Sequence, residues 1–177
     1  MTLYLLFMLA LVSGIIAFVS LQSDKFSIAR SIIIDRPPQD VYPEINDFHA
    51  WRSWSLLAKL EDGATEAFDG PPLGAGAIYE WSDDRRLGTG KMKIVESSQN
   101  ERISIKRHIK KPIEAIENIN INLTEIGAGT EVVWQVSRRL DFMGKSSNIL
   151  KGLEKRTGSD SEQGLKNLKS QLERAKA

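Results

Sequence analysis

From Met1 to Ser23 the chain carries no charged side chain, and Leu3 to Leu21 is almost wholly apolar. A run like this limits what the chain can become, because a backbone with so few polar side chains must be covered by protein or by lipid. As a helix, Leu3 to Leu21 would be roughly 28 Å long, about the hydrocarbon thickness of a bilayer. It reads as a membrane-spanning anchor over residues 1–23, which leaves 24–177 to fold as one domain. A cleaved secretory peptide is the rival reading, but a positively charged leading segment is missing and no small-x-small cleavage site stands out between Ala17 and Ser23. Lys25 and Arg30 follow the span and no Lys or Arg precedes it, so the positive-inside tendency predicts a single pass with the C-terminal domain in the cytoplasm. Only Gln22 to Lys25 separate Leu21 from the first expected strand, a reach of roughly 13 Å when extended, so the domain is expected to ride against the headgroups.

Of the 177 residues, 41% are apolar and 27% charged, which suits one ordinary domain plus that anchor. Lys and Arg number 24 against 23 Asp and Glu, so a general electrostatic attraction to nucleic acid is not expected. The absence of cysteine excludes disulfides, thiolate zinc sites and acylation on sulfur. With only His49 and His108 besides, no metal and no cofactor is expected.

The remainder reads as strands closed by a helix. Phe26 to Ile34 is extended and apolar, and then Pro37 or Pro38 opens a helix with Val41, Ile45 and Phe48 on one face, shortened by Pro43. Trp51 and Trp54 continue a second short helix. Ala58 to Phe68 has no clear period. The turns Gly70-Pro71-Pro72 and Asp83-Asp84-Arg85-Arg86 bracket a strand at Ala77 to Trp81. Further strands are expected at Gly88 to Glu96, Glu101 to Ile109, Ile113 to Thr124 and Thr130 to Arg138. Ser159-x-x-Glu162 reads as a capping box, with Leu165, Leu168 and Leu172 on one face of the helix that follows.

The segment Ile32 to Ser55, with its Pro-started helix and two tryptophans, resembles the polyketide cyclase/dehydrase-like branch of the START/Bet v 1 (SRPBCC) superfamily. So do Gly76-x-x-Tyr79-x-Trp81, Gly88-x-Gly90-x-Met92-x-Ile94, Gly129-Thr130-x-Val132-x-Trp134 and Gly164-Leu165-x-x-Leu168-Lys169. The likeness runs from Phe26 to about Glu173. It implies an α+β helix-grip fold, in which a curved antiparallel sheet wraps around a long C-terminal helix and leaves an apolar cavity between them. It also implies that the C-terminal helix and the loop around Asp141 to Asn148 gate that cavity.

Period-two reading turns Tyr79 and Trp81 inward, then Met92 and Ile94, then Ile103, Ile105, Arg107 and Ile109. It does the same for Ile113, Ala115, Glu117, Ile119, Ile121 and Leu123, and for Val132, Trp134 and Val136. The side chains expected to meet a ligand are Tyr79, Trp81, Met92, Ile105, Arg107, Glu117, Trp134 and Phe142. Arg107 and Glu117 interrupt apolar parities and fall opposite or diagonal to each other once the hairpin at Lys110 to Pro112 closes. They are either a clamp for a ligand's head group or a salt bridge at the sheet's wet rim. An empty apolar void of about 300 Å³ would cost on the order of 7 kcal/mol, so either a lipophile or water fills the interior, or its large side chains collapse into it.

The function expected is membrane-anchored binding or transport of a hydrophobic small molecule or lipid. An enzyme on the same fold, a cyclase, dehydratase or hydrolase, is the alternative, and it would need Arg107, Glu117 or Tyr79 for turnover. A tethered interaction module with a collapsed pocket is the third reading. Nothing marks a catalytic set: His49 lies near Ser53 and Ser55 only in sequence, and His108 has the outward parity. Gly88-Thr89-Gly90-Lys91 imitates the end of a phosphate-binding loop but lacks its first glycine and its hydroxyl residue. Lys106, Arg107, His108, Lys110 and Lys111 form a basic tip, read either as a solvated turn or as a contact for anionic lipid.

Overall fold

The computed structural model describes residues 1–55, 60, 63–85, 87–149 and 152–174. Its first element, α1 (Thr2–Ser20), has a mean hydropathy of 2.5, is long and apolar enough to cross a membrane, and is buried only at Val19. Then follow β1 (Lys25–Ile34), α2 (Pro38–Asn46), α3 (Trp51–Trp54), β2 (Thr65–Asp69), β3 (Ile78–Asp84) and β4 (Gly88–Ser98). The order closes with β5 (Arg102–Lys111), β6 (Ala115–Ile126), β7 (Gly129–Arg139), α4 (Phe142–Ile149) and α5 (Gly152–Arg174).

The seven strands make one antiparallel curved sheet in the order β1-β7-β6-β5-β4-β3-β2. Strand alternation decides its inner face. On β6, Glu117, Ile119, Ile121 and Leu123 are buried, and on β7 the same is true of Val132, Trp134 and Val136. Register shifts at Trp81/Asp84, Thr89/Gly90 and Ile94/Glu96 break the ladders around β4, where extra residues bend a sheet. Helix α5 lies in the resulting concavity, packed on β1, with Leu165, Leu168 and Leu172 buried. Gly158 permits the close crossing, since a Cβ there would come within 2.8 Å of the Ile28 side chain.

Polar bonds fasten α2 and α3 to α5. Gln171 Nε2 donates to Glu44 at 2.9 Å, and Asn167 donates to the Trp54 carbonyl at 2.9 Å. Burial pushes the Glu44 carboxyl above its ordinary value, against the opposing Gln171 bond. Glu173 is held below the ordinary value by Lys169 and by the Asp35 backbone N–H.

Several expectations are corrected. The Ala58 to Phe68 stretch contains the edge strand β2, in which only Phe68 and Glu66 turn inward, too few for a readable period; residues 58–59 and 61–62 lie outside the described residues. Strand β3 runs on through Asp83 and Asp84, so the turn begins later than its acidic pair suggested; residue 86 lies outside the described residues. The segment expected to be a loop at Asp141 to Asn148 is mostly helix α4, whose third N–H donates to Asp141 Oδ1 at 2.7 Å. Helix α5 starts at Gly152, so Ser159 and Glu162 lie inside it and cap nothing. Gly88 to Lys91 opens β4, as expected of a strand beginning at Gly88.

Candidate functional site

Between the sheet and α5 lies a cavity of about 850 Å³, within the size range of ligand pockets. Its wall is built from β4 to β7, which supply Met92, Arg107, Glu117, Trp134, Val136 and Arg138, with Trp81 from β3 and Trp51 from α3. The first turns of α5 cover it with Arg156, Thr157, Asp160, Ser161 and Gly164. That explains why α5 begins before its leucine pattern: a helix turn that faces a cavity needs no apolar ridge. The mouth is ringed by Ile113 and Glu114 of the β5–β6 connection and by Asp141 and Gly144 around the start of α4, and Ile113, Glu114 and Asp141 are exposed.

The deep end is aromatic. Trp134 stacks at an angle on Trp51, centroids 5.3 Å apart, and meets Trp54 edge-on at 5.9 Å. Trp51 donates its indole N–H to the Ile45 carbonyl at 2.8 Å, and Trp54 donates to the Glu44 carbonyl at 3.2 Å. On the other side Trp81 donates to the Leu87 carbonyl at 3.2 Å. Trp134, whose ring also lines the cavity, is the exception: its indole N–H is buried and has no hydrogen-bond partner.

The shallower end carries charge. Arg107 and Glu117 pair across β5 and β6 as expected, with Arg107 Nε donating to Glu117 Oε2 at 2.7 Å and Arg107 Nη2 donating to the same oxygen. Glu117 is only 2% exposed, so this is a bridge in the cavity wall and not one at the wet rim. From β7, Arg138 reaches Glu117 Oε1 through Nη1 at 3.5 Å, while its guanidinium lies 5.9 Å from the Phe26 ring centroid. Its Nε–H is buried and has no partner. Two guanidinium groups thus share one carboxylate. Arg138 went unrecognised in the sequence although continuing the Val132, Trp134, Val136 parity by one step reaches it.

Of the side chains expected at a ligand, Trp81, Met92, Arg107, Glu117 and Trp134 are brought together on this wall. Tyr79 packs instead among Phe48, Phe68 and Trp81 and donates its hydroxyl to Glu66 Oε2 at 3.2 Å, behind the cavity. Ile105 sits in the closed core at 1% exposure, two residues deeper than Arg107. Phe142 opens α4 and is 45% exposed. Ile113 precedes β6 and is exposed at the mouth, because pairing of β5 with β6 ends at Ala115.

The histidines stand apart. His49 Nδ1 meets Asp47 Oδ1 at 2.9 Å and its ring stacks on Phe68, while Ser53 donates to the Ala50 carbonyl, so His49 and Ser53 are not joined as nucleophile and base. His108 pairs with Glu114 at 2.8 Å beside the mouth.

Against known proteins, the family model described as "Polyketide cyclase / dehydrase and lipid transport" matches residues 25–173. The fold is similar to that of SA2116 from Staphylococcus aureus, described as a protein of unknown function, with a TM-score of 0.64 at 12% identity over 88% of this chain and 98% of that one. It is similar to MLL2253 from Mesorhizobium loti, with a TM-score of 0.63 at 14% identity over 84% and 98%. Ara h 8.0201 gives 0.55 at 11% identity over 84% and 97%. At such identities these likenesses speak for the fold alone, and no curated protein matches the sequence. The family match begins with β1 and ends in the last turn of α5, so it takes in the whole of the grip: the chain belongs to the polyketide cyclase/dehydrase and lipid transport family of the SRPBCC superfamily.

Proposed function

We propose that this protein is a membrane-tethered carrier that holds a hydrophobic small molecule or lipid in the cavity between sheet and α5. The observation that carries this reading is the cavity itself: about 850 Å³ walled by Trp51, Trp81, Met92, Trp134 and Val136, none of which collapses to fill it. A concave space of that size with an aromatic deep end suits a lipophile that displaces water. The family description, which includes lipid transport, agrees.

The tether is α1, with the domain on the cytoplasmic side, as Lys25 and Arg30 after the span suggest. Support for a mouth near the bilayer comes from the rim. Lys145 of α4 donates to the Ser20 carbonyl at the end of α1 at 3.0 Å, and the Leu140 N–H donates to the Asp24 carbonyl at 2.7 Å. The exposed Ile113, Lys110 and Lys111 flank the same opening. A ligand partitioned in the membrane would then have a short path to the cavity.

Carriage is favoured over turnover by the state of the polar groups. Glu117 is held by two arginines, and the Tyr79 hydroxyl is turned away to Glu66, so neither is placed to move a proton on a bound molecule.

A neutral photoreactive lipophile bearing a diazirine tests the reading in membranes containing the full chain. It should label peptides of β7 and α5. Val136→Phe puts a ring into the cavity and should lower that labelling by about tenfold or more, the equivalent of roughly 1.4 kcal/mol of affinity, with the circular dichroism unchanged. Equal labelling of a folded variant would sink the assignment.

A further inference from the structure

We infer that the cavity selects an acidic lipophile, with an anionic oxygen at Arg138 and an apolar body running down toward Trp134; the inference rests on the carrier reading. It starts from charge. On the inner face of the sheet, Arg107 and Arg138 share a single buried carboxylate, Glu117, so this trio by itself carries one more positive charge than negative. The two arginines are not equivalent. Arg107 spends both Nε and Nη2 on one Glu117 oxygen, whereas Arg138 makes only the long 3.5 Å contact to the other and keeps a buried Nε–H without a partner. Arg138 is therefore the group with donor capacity left, and a carboxylate or another anionic oxygen is the acceptor a guanidinium prefers.

Trp134 is an independent second sign. It lies on the same face of β7, four residues deeper, is 7% exposed, and its indole N–H has no partner, while the other three tryptophans all donate to carbonyls. Buried donors in a finished core are hydrogen-bonded. Two that are not, both on one cavity wall, mark a wall shaped to receive an oxygen-bearing molecule. Of the other carboxylates on the cavity, Glu114 is engaged by His108 and Asp141 accepts from Gly144 at the start of α4, while Asp160 lies on the covering helix α5 together with Arg156. Between the two donors the wall is apolar, with Val136 separating them on β7 and Met92 across the sheet, so the body of the ligand is a chain or ring system.

The experiment labels the full chain in its membranes with a diazirine-bearing sixteen-carbon fatty acid and competes with hexadecanoic acid or with hexadecanol, which share the body and differ in the head. Hexadecanoic acid should suppress labelling of the β7 and α5 peptides at about tenfold lower concentration than the alcohol, the effect of one charge-assisted hydrogen bond. In Arg138→Gln, which loses the charge and keeps a shorter polar side chain, the two competitors should become equivalent. Equal competition in the wild-type chain would overturn the acidic-ligand inference and leave the carrier reading intact. Failure of acid and neutral probes alike to label the cavity peptides would overturn both.

Discussion

Replacing Glu117 by alanine should destabilise the domain by about 3–5 kcal/mol, read as a lower urea midpoint for the fluorescence transition of the full chain in lipid nanodiscs. The magnitude comes from what is left behind. Glu117 is 2% exposed and takes bonds from Arg107 and Arg138. Without it, two guanidinium groups face each other beside Met92, Trp134 and Val136, and Arg138 in particular keeps a buried donor that water reaches poorly. Arg107→Ala should cost less, because the remaining Glu117 keeps Arg138 as a counter-charge. A loss near zero for Glu117→Ala would mean that the trio is hydrated and contributes as little as a surface bridge does.

Gly90→Ala is the second large effect. A Cβ at this position would lie 2.6 Å from Cζ2 of Trp81 and 2.7 Å from the His108 carbonyl oxygen on the neighbouring strand. The carbonyl belongs to the ladder and cannot swing aside as a side-chain end does, so β4 or Trp81 has to move. The expected cost is about 1–3 kcal/mol, with a change in tryptophan emission as the Trp81 ring leaves the cavity wall. Gly164→Ala provides the contrast. Its Cβ would meet nothing closer than Trp54 Cζ3 at 3.8 Å, so the helix should gain up to about 1 kcal/mol from the better helix former. Equal effects at the two glycines would show that the close approach at Gly90 is absent in solution.

The grip was legible because its strands alternate. The parities of β5, β6 and β7 placed Ile103, Ile119, Ile121, Val132 and Val136 inside, and the structure buries all five. That Arg107 and Glu117 are neighbours could be read for the same reason, and the structure fixes the register that was left between opposite and diagonal. What periodicity cannot give is depth along the strand. Ile105 and Arg107 share a face, yet one is closed core and the other cavity wall, because α5 and the mouth lie at different heights above them. Tyr79 shows the companion limit: its strand is sited correctly, but the edge strand β2 was invisible, and Phe68 with Glu66 on that strand encloses the ring. Phe142 was expected on a gating loop, and the helix that replaces the loop starts with that residue turned outward. The early start of α5 could not be read because turns over a cavity carry Thr157, Asp160 and Ser161 in place of leucines.

The central claim is that the cavity holds a lipophile. The direct test is native mass spectrometry of the full-length protein taken from its own membranes into lipid nanodiscs, followed by solvent extraction and identification of whatever is released. The account predicts one hydrophobic molecule per chain that survives transfer and disappears in Val136→Phe. A mass equal to that of the bare chain, in protein that is folded and never exposed to detergent micelles, would contradict it.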